Sequence, residues 1–324
     1  MHKLTKRLPF LSLIMLLAAF LSTATIAQGQ PFSTGEPEQL ISSETTPFMS
    51  PVWSPDGSHI AFTTSNHRGI WIAQENGEGL TRLSDDESAG YGFSWSSDGR
   101  SVAATTARQE DRRRLHAVKV FDLETETGQT ISDYSRERTG IPQWTDLDQH
   151  IAVTRGETIE LLESGKEPAS RQRQMQDDAV IASRGNEVLL MDRADMEKQI
   201  VRQFDDRRIT HMEPSPDGSK VAVHVLGRGI FVMNADGSGL QELGKGERPT
   251  WMPDTNHVLV METEDDGYRV TGSEIYAVDI DSGERHPLTE HTDLIPLNPS
   301  VSPDGSRIAF HDGQSGVIYT MEIE

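Results

Sequence analysis

One pattern of apolar and polar positions recurs along the chain. A short apolar run carrying Pro and Trp leads into a polar Ser-Pro-Asp-Gly stretch, and a second apolar run follows. It reads Pro51-Val-Trp-Ser-Pro-Asp-Gly-Ser-His-Ile-Ala-Phe62 and again Pro299-Ser-Val-Ser-Pro-Asp-Gly-Ser-Arg-Ile-Ala-Phe310. Weaker copies span 93–104 (FSWSSDGRSVAA) and 212–223 (MEPSPDGSKVAV), and copies at 142–153 and 249–260 lack the glycine. The polar stretch predicts a tight turn, in which Pro presets φ, Asp bonds locally and Gly accepts positive φ. These turns are Pro55-Asp56-Gly57, Asp98-Gly99, Pro216-Asp217-Gly218 and Pro303-Asp304-Gly305. The flanking β-branched and aromatic runs predict two antiparallel strands. A second strand pair follows most copies, as at 69–74 with 79–84, 229–234 with 239–243 and 274–279 with 285–289. Each unit is therefore a four-stranded antiparallel meander.

Units start at 51, 93, 142, 212, 249 and 299. The long interval after 142 holds a further strand series at 179–183, 187–192 and 199–202, a degenerate unit. That makes seven units with a mean spacing of about 41 residues, the period of a β-propeller. The expected fold is all-β, with seven blades favoured and six the alternative. The last unit reaches only a third strand, while residues 38–42 form a strand with no unit of its own. Pairing the two closes the ring and protects an edge. The domain reading is a signal peptide over 1–27, a loose tail over 28–37 and a propeller over 38–324. The signal rests on Lys3, Lys6 and Arg7, the apolar stretch 8–21 and small residues near Ala27. It predicts a periplasmic or secreted protein with no stable membrane insertion after cleavage.

Composition narrows the partners. A net charge of −21 makes nucleic acid an unexpected ligand. Only seven of the 30 basic residues are Lys, a balance that points to salt tolerance. With no Cys there are no disulfides, thiolate metal sites or lipid anchors. The recurring Trp53, Trp95, Trp144 and Trp251 read as core packing between blades. An Asp used once per unit reads as a turn residue, so no catalytic, cofactor or metal residue is assigned. Asn234-Ala-Asp-Gly-Ser-Gly239 has Lys where a calcium loop needs its Glu. No Gly-x-Ser-x-Gly elbow or phosphate-binding glycine loop occurs. Arg112-Arg113-Arg114 reads as a hairpin tip, with a salt-dependent contact to an acidic partner the sharper alternative.

The phrase at 51–62 and 299–310, with the outer hairpin at 233–240, resembles the repeat of the TolB-type propellers (PD40, WD40-like). The resemblance covers about residues 38–324. It implies a stand-alone propeller that lacks TolB's separate N-terminal domain, and seven units depart from TolB's six. The expected function is a non-catalytic module that binds an envelope protein or peptide and needs no cofactor. Its candidate rim is the set of residues just before each inner strand: Ser50, Tyr91, Ile141, His211, Arg248 and Asn298. The alternative is a carbohydrate-active enzyme similar to oligogalacturonate lyases, with a metal in the central channel near His211.

Overall fold

A computed structural model describes residues 32–172 and 175–324. The expected signal peptide lies outside the described residues. Seven antiparallel sheets follow one another along the chain. Blade 1 comprises Phe48–Trp53, His59–Thr64, Ile70–Gln74 and Thr81–Ser84, in that order from the inside out. Blades 2, 5 and 6 repeat this plan from Phe93, Ile209 and Glu247. Blade 7 combines Pro296–Val301, Arg307–Asp312 and Ile318–Glu322 with the N-terminal strand Glu38–Ile41. That strand pairs Glu38 with Thr320, closing the ring as expected.

Closure is visible in the packing. Seven apolar clusters join successive blades: one ties Ala61 and Ile72 of blade 1 to Trp95 and Val102 of blade 2. Another ties Ile41 and Ala309 of blade 7 to Phe48 and Phe62 of blade 1. Each sheet buries both faces, which explains why second strands such as His59–Thr64 read as nearly continuous apolar runs.

Blades 3 and 4 have three described strands each. Blade 3 keeps its inner strand Gln143–Thr145 but has no outermost one. Blade 4 begins at Ala179–Arg184, whose residues correspond to the second strand of the other blades. Among the described residues it has no inner strand. In that place stands the connection from blade 3, ending in the short helix Met175–Asp178. Arg171 grips the fully buried Asp177 at 2.8 Å, and Arg193 donates to the Asp177 carbonyl at 2.9 Å.

The described part of the expected loose tail needs correcting. Ser33 and Glu324 exchange two backbone hydrogen bonds, and Gly35 donates to Glu322. Phe32 packs against His257 and the blade 6–7 core. Free donors on the C-terminal strand edge recruit this segment.

The turns have the local chemistry expected of them. Gly57, Gly99, Gly218 and Gly305 all adopt φ between 68° and 76°. In blade 7 the Asp304 carboxylate accepts from the Ser302 hydroxyl at 2.6 Å and the Ser306 amide at 3.0 Å. Where the glycine is lost the two turns differ. Thr255 takes φ 58° and keeps the turn hydrogen bond, from its amide to Met252 O. In blade 3 Asp146, Leu147 and Asp148 are all left-handed, with φ of 54°, 55° and 70°, and the bond runs from the Gln149 amide to Asp146 O.

Candidate functional site: the two mouths of the central channel

All inner strands run the same way along the axis, so their starts meet at one mouth and their turns at the other. The turn mouth is a cavity of about 610 Å³. Its wall carries Trp53, Trp95, Trp144 and Trp251 with Pro55, Pro216, Pro253 and Pro303. Because blade 4 lacks an inner strand, Val180 and Ile181 of its second-strand equivalent border the cavity directly.

Three of these tryptophans join neighbouring blades by a hydrogen bond. Trp95 donates to Val52 O at 3.2 Å, Trp144 to Ser94 O at 3.1 Å and Trp251 to Glu213 O at 2.9 Å. Trp53 has the same position, but its indole nitrogen is buried without a partner. Arg307 lies over its ring at 4.9 Å from the centroid. Trp53, Trp95 and Trp251 are buried, and Trp144 is half-buried.

One carboxylate at this mouth stands out. Asp148 is 1% exposed and occupies the glycine position of the blade 3 turn. Its Oδ2 accepts from the Ser97 amide at 2.9 Å and hydroxyl at 2.5 Å, while Oδ1 has no partner. Burial pushes its carboxyl above the ordinary value, against the pull of the Ser97 donors and Arg171.

The opposite mouth carries the rim read from the sequence. Asn298 donates from Nδ2 to Ser50 Oγ at 3.1 Å, joining blades 7 and 1. Ser50 donates its amide to His311 Nδ1 at 3.4 Å, and Asn298 donates its amide to Met261 Sδ at 3.4 Å. Ser50, Arg248 and Asn298 share an unusual backbone, with φ of 55°, 52° and 53°. Each sits where its inner strand slips register against the second strand, between Met49 and Val52, Glu247 and Thr250, and Leu297 and Ser300. A bulge re-aims a side chain out of the pleat, and three adjacent blades use it at equivalent positions.

Arg248 is solvated yet hemmed in by protein; burial lowers its basicity, while Glu247 and Tyr91 favour the charge. Its charge is felt at His224 and His311. Burial pushes His311 down to about 4, so this imidazole is neutral. Tyr91, 73% exposed, stacks on His67 with ring centroids 4.5 Å apart. Ile141, 48% exposed, lies so close over Gly92 that a Cβ there would come within 2.6 Å. His211 turns toward Glu213 at 3.5 Å. Among the described residues, no group of three or more His, Asp or Glu is placed to share a metal ion.

The reading of the sequence missed His224, His311, Asp148 and Arg171. The first two occupy one column of the repeat, directly after the apolar triplet of the second strand. The column runs Thr63, Thr105, Thr154, Ser183, His224, Met261 and His311. Comparing units at that column, rather than at the inner strand alone, would have found them.

No family model and no curated protein matches the chain. Solved structures do match its fold. The β-propeller domain of Cps50 (Swd1) from Myceliophteria thermophila aligns with a TM-score of 0.63 at 11% identity, over 89% of this chain and 100% of that one. A putative TolB from Agrobacterium tumefaciens aligns with a TM-score of 0.52 at 15% identity, over 86% of this chain and 90% of that one. At such identities the likeness is one of fold, and it places the chain among the β-propellers.

Proposed function

We propose that this chain is a non-catalytic binding module of the cell envelope that takes a protein or peptide segment at the strand-start mouth of its channel. The observation that carries this reading is the convergence there of exposed apolar and polar side chains held by built backbone features. Tyr91 and Ile141 offer apolar contact, and bulged strands aim Ser50, Arg248 and Asn298 at the same opening. A rigid platform with a few aimed polar groups suits recognition, because little ordering is needed on binding. The export-type N-terminus and the likeness to a putative TolB support an envelope location. No helix of the described residues is long and apolar enough to cross a membrane.

The test is affinity capture from native envelope extract after mild cross-linking, with identification of what is retained. Recovery of one envelope protein, lost on the double change Tyr91→Ala and Ile141→Ala, supports the module. Empty capture together with stoichiometric transition metal in the purified protein would favour the enzyme alternative.

A further inference from the structure

The strand-start mouth contains a guanidinium that no side chain engages directly. The Arg248 guanidinium takes no ion pair or side-chain hydrogen bond among the described residues. Tyr91 and the neutral His311 lie within reach of its charge, and Ser50 joins His311 and Asn298 at the same mouth. Glu247 favours the guanidinium's charge without forming an ion pair with it. Glu247, next in the chain, accepts a hydrogen bond from Thr263 at 3.5 Å. The backbone around Arg248 is committed to this placement, since a non-glycine residue at φ 52° is uncommon and strained. Such strain is maintained only where surrounding structure fixes it, and the same conformation at Ser50 and Asn298 shows that the mouth is built as a unit.

We propose that the channel mouth is a receptor for a single carboxylate, gripped by Arg248 and flanked by the Ser50 hydroxyl, the Asn298 amide and the Tyr91 phenol. A guanidinium presents a planar fork that matches a carboxylate bidentately. Three features favour carboxylate over phosphate. There is one guanidinium for one negative charge, His311 adds none, and the adjacent Glu247 opposes a dianion more strongly than a monoanion. The carboxylate belongs to the C-terminus of a peptide or to an Asp or Glu side chain. This inference rests on the peptide-binding reading above and specifies its anchor.

The test uses bead-displayed ten-residue peptides in four sets. One has a free C-terminus and no acidic side chain, and another has an amidated end and a single Asp or Glu. A third has an amidated end and one phosphoserine, and the last is amidated and free of anions. The purified chain should enrich one or both carboxylate sets. Resynthesis of a selected peptide with its carboxylate turned to carboxamide should weaken binding about ten- to hundredfold, the range of a charge-assisted hydrogen bond. Arg248→Gln should produce a similar loss with the acid peptide and none with the amide, and Arg248→Lys should fall between. Enrichment of the phosphoserine set, or equal binding of acid and amide, overturns the anchor while leaving peptide binding intact. No enrichment of any set overturns peptide binding and the anchor together. A measurement without ligand keeps the idea exposed. Arg248→Gln should leave the melting temperature unchanged or raised, because it removes an exposed charge that takes no ion pair. A fall of several degrees would make Arg248 a structural residue and overturn the assignment.

Discussion

The two tryptophans that differ in one hydrogen bond allow that bond to be weighed. Trp53 and Trp251 occupy the same repeat position and are 5% and 4% exposed. Replacing either by Phe removes a similar volume from a similar blade interface, so the cavity cost largely cancels in the difference. What remains is polar. Trp251→Phe breaks the 2.9 Å bond to Glu213 O, worth about 0.5–1.5 kcal/mol. Trp53→Phe removes a buried donor that has no acceptor, a group costing about 1–3 kcal/mol where it stands. Weaker stacking under Arg307 returns about 0.5 kcal/mol against this gain. Trp251→Phe should therefore be the more destabilising change by about 2 kcal/mol. With an unfolding entropy of roughly 0.6 kcal/mol per kelvin for a body of this size, that is about 3 °C in melting temperature. Differential scanning calorimetry of both variants beside the parent measures it. Equal losses, or a larger loss at Trp53, would refute the assignment of the indole bonds as contacts that hold blades together.

Three further outcomes follow from the turns and the ring. At Asp304 the Ser302 hydroxyl, with the Ser306 amide and hydroxyl, holds the carboxyl at about 2. At Asp56, Asp98 and Asp217 burial pushes upward, but local serine and backbone donors outweigh it and the carboxyls are also held low. Groups depressed on folding add stability above their unfolded value, near 3.8, and lose it as pH falls through the folded one. Circular dichroism should show unfolding develop below about pH 4, with a shallower pH dependence in Asp304→Asn. Asp148 has the opposite sign, because its raised carboxyl contributes less as pH rises and it ionises. Asp148→Asn should raise the urea midpoint at pH 7 and change it little at pH 4; an unchanged or lower midpoint at pH 7 would contradict the strain assigned to its unpaired oxygen. Deleting residues 32–41 uncovers the edge of Ile318–Glu322, and size-exclusion chromatography should show oligomers or aggregate in place of a monomeric peak.

The sequence announces the fold because the repeated phrase encodes a whole strand–turn–strand at each occurrence. Where the turn glycine is gone the flanking strands still pair. Only Thr255 keeps the turn of the other blades, and the blade 3 turn is rebuilt on three left-handed residues, Asp146, Leu147 and Asp148. Blade 4 is legible only through its outer strands, because nothing in 164–178 resembles the phrase and a missing strand leaves no pattern. The rim was identifiable by position, since every residue before an inner strand must reach the same mouth. Its chemistry was not. The bulges that re-aim Ser50, Arg248 and Asn298 arise from register slips between strands, and their one mark in the sequence is the proline that follows each of them, Pro51, Pro249 and Pro299. The unpaired state of Arg248 depends on what six other blades place opposite it, which no local window contains. The indole bonds between blades were hidden for the same reason: their acceptors are backbone carbonyls, which every residue has.

The pairing of Glu38 with Thr320 sets the order in which the molecule can be assembled. Blades 1 to 6 are built from contacts among residues near each other in the chain, and such contacts form quickly. The last sheet is different, because its outermost member is made first and its other three are made last. A chain emerging from a ribosome or an export channel therefore cannot complete its ring until residues 296–322 are available. Until then the molecule is an open arc with uncovered sheet faces at both ends, the form most prone to associate with its own kind or with a chaperone. Ring completion thus joins the segments most distant along the chain, and the short N-terminal strand is the latch that holds them.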